Sequence, residues 1–182
     1  MHFLKYYYNN NFQINLINRF NYKNVKKIPR LTKIVLSFGC NSTEFNKIAA
    51  NLLAIELISN QKGKLTKSKK NNLLLKIRKG HPIGCKVTFR NQSMLNFLYK
   101  FNCEIITKIK NFQGFKRNCT KNTFTYHIAN LFLFEKLEKQ FQFFSAIKNL
   151  NINFVASSNN KNELIFLLQL LNLHFKQINR QV

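Results

Sequence analysis

The chain is 182 residues long and carries 30 Lys and Arg against six acids, for a formal net charge of +24 and a pI near 10.2. A free domain normally holds its net charge to roughly 2–8 in magnitude, because a larger single-sign field repels itself, so an excess of this size points to a polyanionic partner, nucleic acid first. With 45% hydrophobic residues the chain is no disordered basic tail, its longest strongly apolar run (164–173) falls short of the ~20 residues that span a bilayer, and cations spread along the whole length argue against a single membrane-binding helix.

Residues 1–19 read as a polar helical extension ahead of one domain over 20–176 and a basic tail over 177–182. The start lacks the apolar core and small-residue cleavage site of a secretory signal, and it is neither Arg-rich nor Ser-rich like an imported presequence. Pro29 marks a boundary. Residues 33–39 alternate as a half-buried strand, with Ile34, Leu36 and Phe38 on one face and Lys33, Val35 and Ser37 on the other. Asn41 and Glu44 stand three apart as a capping box for a helix over 42–59, whose apolar stripe would be Phe45, Ile48, Ala49, Leu52, Leu53 and Leu57.

Residues 61–90 are dense in Lys and Arg and hold no acid, yet apolar residues, three glycines and a proline punctuate them as in folded structure. Two strand-like pieces, around Leu65 and over 73–78, flank a basic loop over 67–72. Along 83–90, Cys85, Val87 and Phe89 fall on one face, and Lys86, Thr88 and Arg90 on the other. A strand with an apolar back and a Lys/Thr/Arg front packs on a core while it offers cations and a hydroxyl to RNA. Asn91 would cap a helix carrying Met94, Leu95, Leu98 and Phe101; 123–129 and 151–156 read as strands, the latter with Ile152 and Phe154 inward. Asn160 and Glu163 form a second capping box for a helix over 161–173.

The pattern is α+β, without internal repeats. Cys40, Cys85, Cys103 and Cys119 contain no CxxC pair and the four histidines are scattered, so no metal or other cofactor is expected. With no Asp and only six dispersed glutamates, metal-assisted phosphoryl chemistry has no ligand set, and the chain reads as a non-enzyme. Abundant Asn, Lys, Phe, Ile and Tyr beside five Gly, two Pro and no Trp indicate an A+T-rich coding genome, typical of organelles.

The order of blocks FNYKNVKKIPRLTKIVLSFG, QKGKLTKSKK, KIRKGHPIGCKVTFR, IKNFQGF and LNINFVASSNNKNELIFLL resembles large-subunit ribosomal protein five, the bacterial-type 5S-rRNA-binding protein of the central protuberance, over about 20–173. The resemblance implies an antiparallel sheet with helices packed on one face and a concave surface that receives RNA. It also implies a structural constituent of a large ribosomal subunit, here an organelle-encoded mitochondrial one. By motif, the family's RNA-contacting residues fall on Gln61, Thr88 and Arg90, and Ser37 stands where the family has Asn. With the outward cations this gives a candidate rRNA surface of Lys33, Ser37, Gln61, Lys62, Lys64, Arg78, Lys79, Lys86, Thr88 and Arg90. The loop Thr66, Lys67, Ser68, Lys69, Lys70, Asn71 and Asn72 matches the family element that approaches the P-site tRNA. Other implied partners are neighbouring ribosomal proteins and a bridge to small-subunit protein thirteen, although the family's Gly-rich turn is replaced by Arg117–Tyr126. The alternative is an organellar RNA-binding protein outside the ribosome.

Overall fold

A computed structural model of the protein describes residues 12–40, 44–145, 147 and 149–176. Five strands, β1 Leu31–Gly39, β2 Lys64–Lys67, β3 Pro82–Phe89, β4 Thr123–Ile128 and β5 Leu150–Ala156, form one antiparallel sheet in the order β2-β3-β1-β5-β4. The helices are α1 over 12–19, α2 Phe45–Ser59, α3 Asn91–Lys100, α4 Ile106–Lys108, α5 Glu135–Glu138, α6 Phe141–Phe144 and α7 Lys161–Leu170. A π-helical turn, Phe101–Ile105, joins α3 to α4. Period-two patterning accounts for the strands: Ile34, Leu36 and Phe38 of β1, Cys85, Val87 and Phe89 of β3, and Leu150, Ile152, Phe154 and Ala156 of β5 are all buried. The α+β class and the antiparallel sheet expected from the sequence are therefore present.

Two compact units divide the chain. The first comprises residues up to Ile34, Phe89–Tyr126 and the residues from Asn153. Its core is aromatic: the Phe101 ring lies 5.8 Å from Phe154 and 6.2 Å from each of Phe97, Phe115 and Tyr126. Phe115 also meets Tyr126 edge-on at 4.7 Å, a preferred geometry for ring quadrupoles. Helix α1 docks through buried Phe12 and Leu16, and the Arg19 guanidinium sits 4.3 Å above the Phe166 ring. The second unit comprises Val35–Thr88 and His127–Ile152. Leu36, Phe38, Ile55, Cys85, Val87, Leu137, Phe144 and Leu150 are buried in it.

Several sequence expectations need correction. Helix α2 begins at Phe45, with Glu44 at its N-cap and no side-chain capping bond; Asn41 and Ser42 lie outside the described residues, as do 1–11 of the N-terminal extension and the tail 177–182. Its buried face is Ile48, Asn51, Ala54, Ile55 and Ile58, while Phe45, Ala49 and Leu53 are exposed. The helix is apolar nearly all round, so periodicity offers two stripes and packing selects one. Asn51 belongs on the chosen face because its amide donates to Cys40 Sγ at 2.7 Å.

The expected strand over 73–78 is a chain reversal. Asn72 and Ile77 exchange backbone hydrogen bonds of 2.8 and 2.9 Å, and the Leu75 N–H donates to the Asn72 side-chain oxygen. Helix α3 starts at Asn91, with Arg90 in the cap position. Helix α7 stops at Leu170: the Leu173 N–H reaches back to the Leu168 carbonyl at 3.0 Å, across a left-handed Asn172. Its expected capping box does not form: the Asn160 side chain makes no cap bond, and the Glu163 carboxylate accepts instead from the Asn159 N–H and the Asn160 side-chain amide.

Asn172 is one of a set. Among the described residues, the non-glycine positions with positive φ are Lys76 and five asparagines, Asn60, Asn91, Asn111, Asn149 and Asn172. Asparagine tolerates this region better than other side chains. Asn60 uses it to end α2, its N–H donating to the Glu56 carbonyl.

Candidate nucleic-acid interface

Strand β3 supplies the outward cations. Lys86 and Arg90 are exposed and Thr88 is half-buried, alternating with the buried Cys85, Val87 and Phe89. Burial pushes the Cys85 thiol up to about 12, with the neighbouring Cys40 adding to the shift, so this sulfur is a packed hydrophobe and no nucleophile. Strand β2 pairs antiparallel with β3, setting Lys64 directly opposite Lys86 and Thr66 opposite Gly84. Like charges placed opposite each other across a ladder destabilise it. Among the described residues no carboxylate forms an ion pair with any cation of 61–90. The arrangement therefore lacks its counter-charge.

Close strand approach keeps this edge in place. A Cβ on Gly84 would collide with the Phe38 carbonyl of β1 and lie 3.0 Å from the Thr66 hydroxyl, so only glycine fits there. On the β1 side, Ser37 is half-buried on the outward parity. Gln61 and Lys62 enter β2 through a tied segment: the Gln61 N–H donates to Ser59 Oγ at 3.2 Å and the Gly63 N–H to Glu56 Oε1 at 2.8 Å. Lys33 and Arg90 fall within the first unit, each at an outward position, Lys33 on β1 and Arg90 just after β3.

Beyond β2 the chain continues as a hydrogen-bonded hairpin. The Ser68 N–H donates to the His81 carbonyl and the Gly80 N–H to the Ser68 carbonyl, at 2.8 and 3.0 Å. Lys67, Lys69, Lys70, Arg78 and Lys79 are exposed along it, Thr66 and Ser68 half-buried. Asn71 and Asn72 do a different job: their side-chain oxygens accept from the Lys79 and Leu75 N–H groups, which fixes the turn. Sequence reasoning missed the apex, where Leu73 and Leu74 are 92% and 95% exposed. The run LLL reads as strand core, and only the Asn72–Ile77 pairing shows it to be a tip. A second outward pair, His127 and Asn151 at 2.5 Å between β4 and β5 in the second unit, was hidden by strand order.

Among the described residues no three His, Cys or acidic groups come together to hold a metal, and no helix is long and apolar enough to cross a membrane. Cations, hydroxyls and amides share the outward side of a hydrogen-bonded ladder, an arrangement suited to binding a polyanion.

The sequence pattern of the C-terminus of the ribosomal protein five (uL5) family matches residues 82–175. The chain is 34% identical over 172 residues to the large ribosomal subunit protein uL5m of Reclinomonas americana, covering 92% of this chain and 94% of that one. It is 33% identical to uL5 of Wigglesworthia glossinidia brevipalpis, covering 94% and 97%, and 35% identical to uL5 of Helicobacter pylori strain HPAG1, covering 96% and 98%.

Proposed function

The chain belongs to the uL5 family of large-subunit ribosomal proteins, and we propose that within the subunit it clamps ribosomal RNA of the central protuberance, 5S rRNA where the ribosome has one, against the outward parity of its strands. In the second unit the contact surface is Lys64, Lys86, Thr88, Ser37 and Gln61, with Lys62, Arg78 and Lys79 at its border; in the first unit Lys33 and Arg90 are contacts of their own. The observation that carries this reading is the Lys64–Lys86 juxtaposition with no ion-paired carboxylate. A ladder built with facing cations is stabilised when phosphates lie across it.

The hairpin over 66–72 is proposed to approach the P-site tRNA, and 116–137 to face the small subunit toward protein thirteen. We place the ribosome in the mitochondrion, supported by the uL5m relative and by the A+T-driven composition; bacterial relatives are as similar, so compartment is the part to test first. The chain acts as structural constituent and not as a catalyst, in keeping with its family.

Sedimentation tests the proposal. In fractionated mitochondria the protein should travel with large subunits through a moderate salt wash, and ultraviolet crosslinks from β3 should map to rRNA. Recovery in the ribosome-free supernatant would favour the extraribosomal RNA-binding alternative; crosslinks restricted to protein would remove the RNA surface.

A further inference from the structure

Every phenylalanine that the described residues leave exposed lies on α2 or α6: Phe45 at 81%, Phe141 at 56% and Phe143 at 73%. Both helices belong to the second unit, and they pack on each other and on α5. Phe45, Ala49 and Leu53 recur every fourth residue as the exposed stripe of α2. The Phe141 ring lies 4.5 Å from that of Phe132, while Phe144 is buried and anchors α6. Exposed aromatic surface gathered on packed elements marks an interaction site more often than chance exposure does.

Charge says what kind. Residues 44–60 and 141–144 hold two glutamates (Glu44, Glu56) against one lysine (Lys47), a net of −1, whereas the rest of the chain holds 29 cations against four glutamates, a net of +25. Lys47 is engaged by Glu44 at 3.0 Å and Lys136 by the Asn60 side chain. Phosphate would find little free cation here and would meet the exposed Glu138 carboxylate. A second copy is disfavoured by mutual repulsion of two +24 chains.

We propose that α2 and α6 form a docking surface for another protein of the large subunit, seated through an apolar segment bordered by Lys or Arg. Rings this exposed need a resident cover, so the partner belongs to the large subunit itself and not to a contact made only when subunits join. The acidic excess steers a basic partner to this face, and the sheet edge, with its opposite charge, is left to RNA.

The test uses p-benzoylphenylalanine in place of Phe143, in protein assembled into large subunits. Expected is a crosslink within the isolated subunit to one protein, at a peptide whose aliphatic residues are flanked by Lys or Arg. A Phe141→Ser/Phe143→Ser variant should enter the subunit while that protein's occupancy falls by about tenfold, the scale of losing an aromatic anchor. Crosslinks to rRNA, to a second copy, or to a small-subunit protein in intact ribosomes alone would overturn the proposal, as would no crosslink at all. Should the double variant fail to fold, the crosslink decides alone.

Discussion

Phe101 in the first unit and Lys64 in the second show two ways in which a residue meets its neighbours. Phe101 is fully buried among rings at 5.8–6.2 Å, so its free energy is realised by the fold itself. Lys64 faces Lys86 across a ladder with no ion-paired carboxylate, so the free chain holds an unfavourable contact that a polyanion would make favourable. A core perfects itself; a binding edge is left electrostatically incomplete.

The largest effect separating the two regions is expected from Phe101→Ala. Loss of a fully buried ring should cost ~3–5 kcal/mol, read as a lower denaturation midpoint; a loss under ~1 kcal/mol would mean the aromatic cluster is not the stabilising core. Gly84→Ala comes next, because the new methyl collides with the Phe38 carbonyl. It should destabilise by ~1–3 kcal/mol and shift β1 and β3 backbone resonances, and a silent substitution would show that the approach relaxes freely.

Replacing Lys67, Lys69 and Lys70 with Ala sharpens the comparison within the binding region. If the ladder makes the docking contacts and the hairpin approaches tRNA, as proposed, subunit entry should be kept while P-site tRNA retention falls by roughly tenfold. A folded variant excluded from the subunit would make the hairpin an assembly element. Lys64→Ala should move two quantities in opposite directions. The free protein gains ~0.2–1 kcal/mol as the cross-strand repulsion goes, and the log–log salt slope of RNA binding becomes shallower by ~0.7–0.9. Loss of both stability and affinity would contradict an unneutralised edge.

The last effect is absent at neutral pH and appears only in alkali. Cys85 is raised from 9.0 to about 12 in the folded chain, first by burial and then by Cys40. In the unfolded chain the thiol ionises earlier, so above pH 9 the unfolded state binds fewer protons and the stability due to this group declines toward pH 12. Cys85→Ala should flatten that decline in a pH series of denaturant midpoints; an unchanged slope would show that the thiol contributes nothing to it.

Much of this was legible because strands with one buried face reveal themselves at period two. β1, β3 and β5 read correctly down to which residues turn inward, and the outward Lys86 and Arg90 followed from that alternation. The stripe of α2 was not legible, since a helix with Phe45, Leu53, Ile48 and Ile55 on different sides has no single apolar face until it is packed. Nor was the Leu73–Leu74 apex, where an apolar run is turned outward by side-chain bonds from Asn72 and a left-handed Lys76. The partners of Lys64 depended on register, and register is a property of two segments together.

The left-handed asparagines have a consequence for how such a chain changes over generations. Five turn or helix-end positions, Asn60, Asn91, Asn111, Asn149 and Asn172, hold a conformation for which glycine is the usual occupant. Because asparagine can hold these places, a lineage under mutational pressure can shed glycine at its turns without unmaking them. The same five sites are where glycine would be readmitted with least disturbance were that pressure lifted, so the architecture can outlast large swings in the sequence that encodes it.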